Sequence, residues 1–363
     1  MKYPVYQPSL SGKEKKYVNE CLDSTWISSK GKFVDLFQNE FAKKIGVKHA
    51  AAVCNGTVAL HLALEALGLG EGDEVIVPTL TYIASVNAIT YTGAKPVFVD
   101  SLEDTWQMDP SDVEKKINKR TKAILCVHVY GQSCDMDALS QICKEQQLFL
   151  VEDCAEAIGT YYKEKHVGTF GDVSIFSFYG NKTITTGEGG MVVTNHKTLH
   201  ERISHLKGQG LAKYREYWHD VIGYNYRMTN ICAAIGYAQL ERLEETIQKK
   251  RDIAGWYQEA FNGTDISFHQ EAENTIHSFW MCTILLPEET DREKLKEHLF
   301  KQGIETRPMF YPIHTMPIYS KQYEKHLVAE SLSRRGMNLP SYPGLNKDDV
   351  QFIADKVLQY VSR

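Results

Sequence analysis

The feature that most constrains this chain is an alternation, sustained over its first two thirds, of short apolar β-rich runs with longer stretches of helical period. Residues 50–54, 74–77, 96–99, 123–129 and 148–151 read as buried strands, because they are short, largely apolar and lack a polar alternate face. Residues 56–67, 81–91 and 136–145 carry helical period between them, and Gly93 closes the second of these helices. Neighbouring parallel strands need a crossover, which a helix supplies, so this order implies an α/β fold with a mainly parallel sheet flanked by helices. Upstream lies a helical arm: Ser11 and Glu14 have the spacing of a capping box, and a second helical pattern over 32–45 stops at Gly46. Downstream, strand-like 172–178 and 191–194 enclose a turn containing Gly187, Gly189 and Gly190. A helical run from about Thr229 toward Phe261, a strand at 280–286, a helix at 292–301 and a closing helix from Asp348 follow. This pattern places a large domain with its arm over 1–240 and a smaller C-terminal α/β domain over 241–363.

Composition removes several classes of function. The 363 residues, 43 % hydrophobic and 24 % charged, suffice for a large core without staples, and no stretch approaches the roughly 18 apolar residues of a membrane helix. A net charge of -5 without a long basic run argues against a general grip on nucleic acid phosphates. The eight cysteines contain no C-x-x-C pair and no finger-like Cys/His spacing, so neither zinc nor a disulfide framework is indicated. The first residues lack the pattern of a signal peptide, and the expectation is a cytoplasmic protein with reduced thiols and no metal.

In open α/β sheets ligands sit beyond the carboxyl ends of the strands, and four candidates stand there. Asn55, Gly56 and Thr57 join a strand to a helix, where free N–H groups can receive a phosphate. Asp153 ends an apolar strand and can pair with a cationic ring nitrogen. Lys182, in S-F-Y-G-N-K at 177–182, follows a strand and precedes T-T-G-E-G-G; a lysine held in such a site can form a Schiff base. Tyr82, just past the strand ending at Pro78, can stack on a flat ring. Taken singly, each has an ordinary explanation as a turn, a cap, a solvated amine or a packed aromatic. Pyridoxal phosphate needs all four together: donors for its phosphate, a stacking face, an acid partner for its ring nitrogen and an amine for its aldehyde.

These segments occur in order along nearly the whole chain with P-T-L-T-Y-I-A-S at 78–85, V-H-V-Y-G at 127–131, V-E-D-C-A-E-A at 151–157, G-T-F-G-D at 168–172 and G-Y-N-Y-R-M-T-N at 223–230. In them the chain resembles the DegT/DnrJ/EryC1/StrS family, fold-type I aminotransferases that use pyridoxal 5'-phosphate on nucleotide-linked sugars. The resemblance implies that Lys182 is the Schiff-base lysine that also moves protons, and that Asp153 partners the ring nitrogen. It implies that Gly56, Thr57 and Ser177 hold the phosphate, that Tyr82 stacks on the ring, and that Asn225 reaches the phosphate from a neighbouring subunit. The expected assembly is then a homodimer with shared sites, or a tetramer built from it. Relatives commonly carry Gln or His three residues after the aspartate; here Glu156 stands there, where it would share or donate a proton at the cofactor's 3-oxygen. Relatives with histidine in place of the lysine are sugar dehydratases, so Lys182 argues for amino transfer. Trp26, Ser28, Ser29 and Lys30 are expected sugar-nucleotide contacts, with Arg307, Tyr311 and His314 in R-P-M-F-Y-P-I-H and, beside Asn225, His219 and Arg227. Segments 25–31 and 180–190 most resemble 4-aminotransferases of GDP-linked sugars in O-antigen synthesis. That gives the expectation of amine transfer from L-glutamate to the C4 ketone of GDP-4-keto-6-deoxy-D-mannose. A 4-aminotransferase for a dTDP- or UDP-linked sugar, and a non-catalytic relative that keeps the cofactor, are the alternatives.

Overall fold

The computed structural model describes residues 1–361. Its main sheet has seven strands in the order His49–Val53, Gly190–Thr194, Val173–Ser177, Phe149–Asp153, Thr121–Val127, Glu74–Pro78 and Lys95–Val99. Neighbours are parallel except where Gly190–Thr194, antiparallel to both sides, is inserted. The central strands are buried on both faces, and period-two alternation sorts their side chains between two helical layers. Val75, Leu125, Val151 and Ile175 pack with Leu62 and Val86 of the helices Gly56–Leu67 and Ile83–Tyr91. On the other face Ile76, Ile124 and Cys126 meet Met136 and Leu139 of the helix Met136–Gln146, while Phe176 and Met191 meet Phe37 and Phe41 of the helix Lys32–Ile45.

Several local expectations need correction. Gly46 does end the Lys32–Ile45 helix, in the left-handed conformation at φ 88° that glycine adopts without strain. The first helix, however, begins at Glu14 with no side-chain cap. Glu14 is buried and accepts a hydrogen bond from Gln239, and Ser11 Oγ accepts one from Arg242, so tertiary partners take both members of the expected capping box. The helical run toward Phe261 is two helices, Asn230–Leu240 and Leu243–Phe261, separated at Glu241 and Arg242. A further helix, Pro110–Lys116, was not expected; Asp109 caps it and proline occupies its first turn.

The C-terminal region builds a second sheet, Ser267–Phe268, Cys282–Leu285, Gly336–Leu339 and Arg307–Pro308, antiparallel throughout. Ile253, Leu295 and Ile353 of the helices Leu243–Phe261, Arg292–Lys301 and Lys347–Val361 cover it. Tyr3 belongs to this second core and bridges Ile304, so the start of the arm packs on the smaller unit. Among the described residues no helix is long and apolar enough to cross a membrane.

Candidate active site

A cavity of about 830 Å³ opens at the carboxyl ends of the main sheet, lined by Gly56, Thr57, Tyr82, Asp153, Ser177 and Lys182 among others. Gly56 and Thr57 open one helix, Tyr82 precedes another, Asp153 and Ser177 end two strands, and Lys182 stands in the turn after Ser177, the arrangement that crossover topology produces. Asn55 caps the Gly56–Leu67 helix, its Oδ1 accepting from Val58 N at 3.0 Å, and the first-turn amides lie at the positive end of the helix. A Cβ on Gly56 would stand 2.7 Å from the Cβ of Ser177, so glycine lets this helix end close onto the Ser177 hydroxyl.

Asp153 is buried at the end of its strand. Its Oδ2 accepts from Ser85 Oγ at 2.7 Å and its Oδ1 from Ala155 N at 3.0 Å. Burial raises its pKa, with these two donors and the Lys182 charge opposing. The preceding Glu152 points to the other face of the sheet, where it accepts from the backbone N–H groups of Gly168, Phe170 and Gly171 and from Ser174 Oγ. That web fixes the strand end on which Asp153 stands.

Lys182 lies in the turn between Val173–Ser177 and Gly190–Thr194. Its Nζ is 3.5 Å from Glu156 Oε1 and 3.6 Å from the centre of the Trp280 ring. Burial lowers its pKa, and the carboxylates of Glu156 and Asp153 oppose that shift. Burial pushes Glu156 up to about 7, with Lys182 and the Tyr130 N–H pulling the other way. Glu156 Oε2 accepts that N–H at 2.8 Å. Tyr130 adopts φ 58°, a left-handed conformation that costs a non-glycine residue roughly 1–2 kcal/mol. Its ring lies nearly parallel to those of Trp280 and Phe310, 6.1 and 5.0 Å away between centroids, in a three-ring cluster, and its hydroxyl accepts from Phe310 N at 2.9 Å.

The expected residues divide into two groups. Tyr82, 57 % exposed, and Arg307, half-exposed and 3.4 Å from Glu305 Oε1, line the cavity with those above. Tyr311 is exposed, lies outside the lining and accepts from Arg292 Nη2 at 3.4 Å. His314 departs from the expectation: it is buried outside the cavity, with Nδ1 2.6 Å from Thr79 Oγ1 and Nε2 3.2 Å from Glu330 Oε1, so neither ring nitrogen is free for a ligand. Trp26, Ser28, Ser29 and Lys30 sit on the loop between the first two helices and do not line this chain's own cavity. Asn225 is exposed, its Oδ1 accepting from Arg227 Nη2 at 3.1 Å, and His219 is exposed with Nδ1 2.9 Å from Gln209 O. None of these three lines the cavity. Trp280, Tyr130, Phe310 and Ser85 were missed as site residues; Ser85, Tyr130 and Phe310 fall within motifs read above, whereas Trp280 arrives from the distant second sheet region without one.

The sequence profile of the DegT/DnrJ/EryC1/StrS aminotransferase family matches residues 8–358. The chain belongs to that family. Within it, the chain is 61 % identical over 363 residues to the GDP-perosamine synthase of Escherichia coli O157:H7, with all of both chains covered. It is 53 % identical over 361 residues to the GDP-perosamine synthase of Vibrio cholerae, covering 98 % of each. Its backbone matches that of Helicobacter pylori PseC, an aminotransferase involved in the biosynthesis of pseudoaminic acid, with a TM-score of 0.95 over all of both chains at 30 % identity. The DegT/DnrJ/EryC1/StrS assignment makes the chain an aminotransferase of fold type I, in agreement with the mostly parallel sheet and its flanking helices.

Proposed function

We propose that this chain transfers the amino group of L-glutamate to C4 of GDP-4-keto-6-deoxy-D-mannose, releasing GDP-perosamine and 2-oxoglutarate, in the cytoplasm and with pyridoxal 5'-phosphate as cofactor. The observation that carries the sugar assignment is the 61 % identity, over the full length of both chains, to a GDP-perosamine synthase. The residues present fit the cofactor. The Gly56 cradle has no room for a Cβ, Asp153 is a buried carboxylate on the cavity wall, and Asn181 Oδ1, also on that wall, has no hydrogen-bond partner among the described residues.

Gly56, Thr57 and Ser177 would hold the phosphate at the positive helix end, and Tyr82 would cover one face of the ring. Asp153 would keep a proton at the ring nitrogen, a cationic partner that offsets the cost of its burial. When bound, the cofactor supplies an electron-withdrawing ring that accepts the electron pair left when a C–H bond beside the nitrogen ionises. Lys182 Nζ, its pKa lowered by burial, takes up a proton from the donor's α-carbon and delivers one to C4 of the sugar. Glu156 holds its own proton near neutral pH and shares it with Nζ. Arg307 at the mouth is the cation of this chain assigned to the sugar nucleotide's pyrophosphate.

A homodimer completes this reading. Tyr214, Tyr217 and Ile222 are 73 %, 92 % and 92 % exposed beside Asn225, an apolar surface that a second copy would withdraw from water. Asn225 and the Trp26 to Lys30 loop, which do not line their own cavity, are then the groups offered to the partner's. The proposed domain boundary at residue 240 falls where Glu241 and Arg242 interrupt the helical run.

Mass spectrometry of the products tests the reaction and the base together, after the protein meets pyridoxal phosphate, L-glutamate and equal amounts of GDP-, dTDP- and UDP-linked 4-keto-6-deoxy sugars. The expected result is exchange of ketone oxygen for amine in the GDP sugar alone. Amination of another nucleotide instead would reassign the substrate. No amination, with a known aminotransferase working in the same mixture, would return the chain to a non-catalytic reading.

A further inference from the structure

Lys250, on the helix Leu243–Phe261, is fully buried. A buried ammonium is costly unless each of its protons finds an acceptor. Here all three do: Nζ donates to Trp280 O at 2.8 Å, to Ser341 O at 2.5 Å and to Ser341 Oγ at 3.1 Å. No carboxylate pairs with it among the described residues, and burial pushes its pKa down to about 8. The Tyr6 ring lies 5.2 Å from Nζ. An apolar side chain would fill such a place at lower cost, so the lysine needs a reason beyond packing.

The two aromatic residues it touches supply one. Trp280 Nε1 donates to Asn181 O at 2.8 Å, and Tyr6 OH donates to Lys182 O at 2.6 Å. The carbonyls on both sides of the Lys182 Cα are thus held by side chains from the arm and from the start of the second sheet. Trp280 also presents its ring face to Lys182 Nζ at 3.6 Å. Lys182 itself stands on a turn, where a long flexible side chain is not fixed by regular structure, and a reacting amine has to be held within about 0.5 Å.

We infer that Lys250 is a positioning residue for Lys182: by joining the Trp280 backbone to Ser341 beneath the Tyr6 ring, it fixes the two braces of the Lys182 peptide and the indole face on which Nζ rests. This rests on Lys182 being the reacting amine, and the experiment separates the two claims. Holoenzymes carrying Lys250→Met, Lys250→Arg, Tyr6→Phe and Lys182→Ala are compared by kcat, by KM for each substrate, and by the pH midpoint of the bound cofactor's visible absorbance. Lys250→Met should lower kcat about tenfold and Tyr6→Phe about threefold, each leaving KM for the sugar nucleotide within about twofold. Both should move the midpoint down by about half a pH unit, because an indole face favours a protonated nitrogen: Lys250→Met releases the indole, and Tyr6→Phe releases the Lys182 peptide that holds Nζ against it. Lys250→Arg, which keeps charge and donors, should recover some of both effects. Tyr6→Phe deletes one atom and tests the brace itself, while Ser341→Ala, which deletes one of the three acceptors of Lys250 Nζ, decides the matter by the same readouts if Lys250→Met does not fold. Variants that are only less heat-stable, with the wild-type kcat and midpoint, overturn the proposal. Turnover retained by Lys182→Ala overturns the assignment of the amine itself, and the positioning role with it.

Discussion

Glu156 Oε1 lies 3.5 Å from Lys182 Nζ, and both groups are shielded from water at the floor of the cavity. The carboxyl is there raised from 4.5 to about 7 and the amine lowered, burial being the leading cause for each. A carboxyl that binds its proton more tightly in the folded state contributes stability that is complete below its unfolded pKa and is lost as pH rises through the folded one. Between about pH 4.5 and 7, Glu156 therefore makes the cofactor-free protein progressively easier to unfold. Glu156→Gln should remove that loss. Denaturant unfolding at pH 5 and pH 8 should give a gap over wild type on the order of 1–3 kcal/mol at the higher pH and much less at the lower. A gap of the same size at both pH values would mean that Glu156 does not titrate in this range.

Asp153 depends on Ser85 for one of its two hydrogen bonds. Asp153→Asn keeps the shape but cannot hold a cationic ring nitrogen, and kcat should fall by about a hundredfold or more. Ser85→Ala leaves the charge and removes a single donor, for a loss of about tenfold. Steady-state rates with both variants check the order; equal losses would show that geometry rather than charge matters at Asp153.

Gly56→Ala places a methyl group 2.7 Å from the Cβ and 2.9 Å from the Oγ of Ser177. The serine or the helix end has to retreat, which widens the phosphate cup. Gly56 is the first helical residue and is not in the left-handed conformation, so its backbone accepts alanine and the fold should survive. Titration of the cofactor-free protein with pyridoxal phosphate, followed by visible absorbance, should give a Kd about tenfold or more above wild type. An unchanged Kd would remove the cradle from the phosphate site.

Shared sites predict complementation. Lys182→Ala and Asn225→Ala proteins, each poorly active alone, should regain some of the wild-type rate when mixed under conditions that exchange subunits, because one site in each mixed dimer is intact. With exchange proven by mass, absence of recovery would count against Asn225 acting across the interface.

Much of the fold was legible because its signals are local. The helices Lys32–Ile45, Gly56–Leu67 and Arg292–Lys301 begin and end where expected, since Gly46, Asn55 and Asp291 terminate or cap them with their own backbone or side chain. The Asp109-Pro110 pair announced the missed helix in the same local way. What escaped is set by distance along the chain. Ser11 and Glu14 look like a capping box until Gln239 and Arg242 reach them. His314 looks like a free ligand until Thr79 and Glu330 occupy its ring. The candidate site divides likewise: Asp153 ends a strand, and Gly56, Thr57 and Lys182 follow strands closely, a position that alternation of elements reveals. Trp280 carries no mark of its own, because what makes it matter is a lysine almost a hundred residues earlier.

The N-terminal arm reaches Lys182 in company with the segment around Glu305. Glu305 N donates to Tyr3 O and Val5 N donates to Glu305 Oε2, and one residue later Tyr6 bonds the Lys182 carbonyl. A shift of the segment around residue 305 is therefore passed through Tyr3, Val5 and Tyr6 to the Lys182 carbonyl, so the smaller sheet and the turn that carries Lys182 are mechanically joined by residues 3–6, which belong to no strand of either sheet.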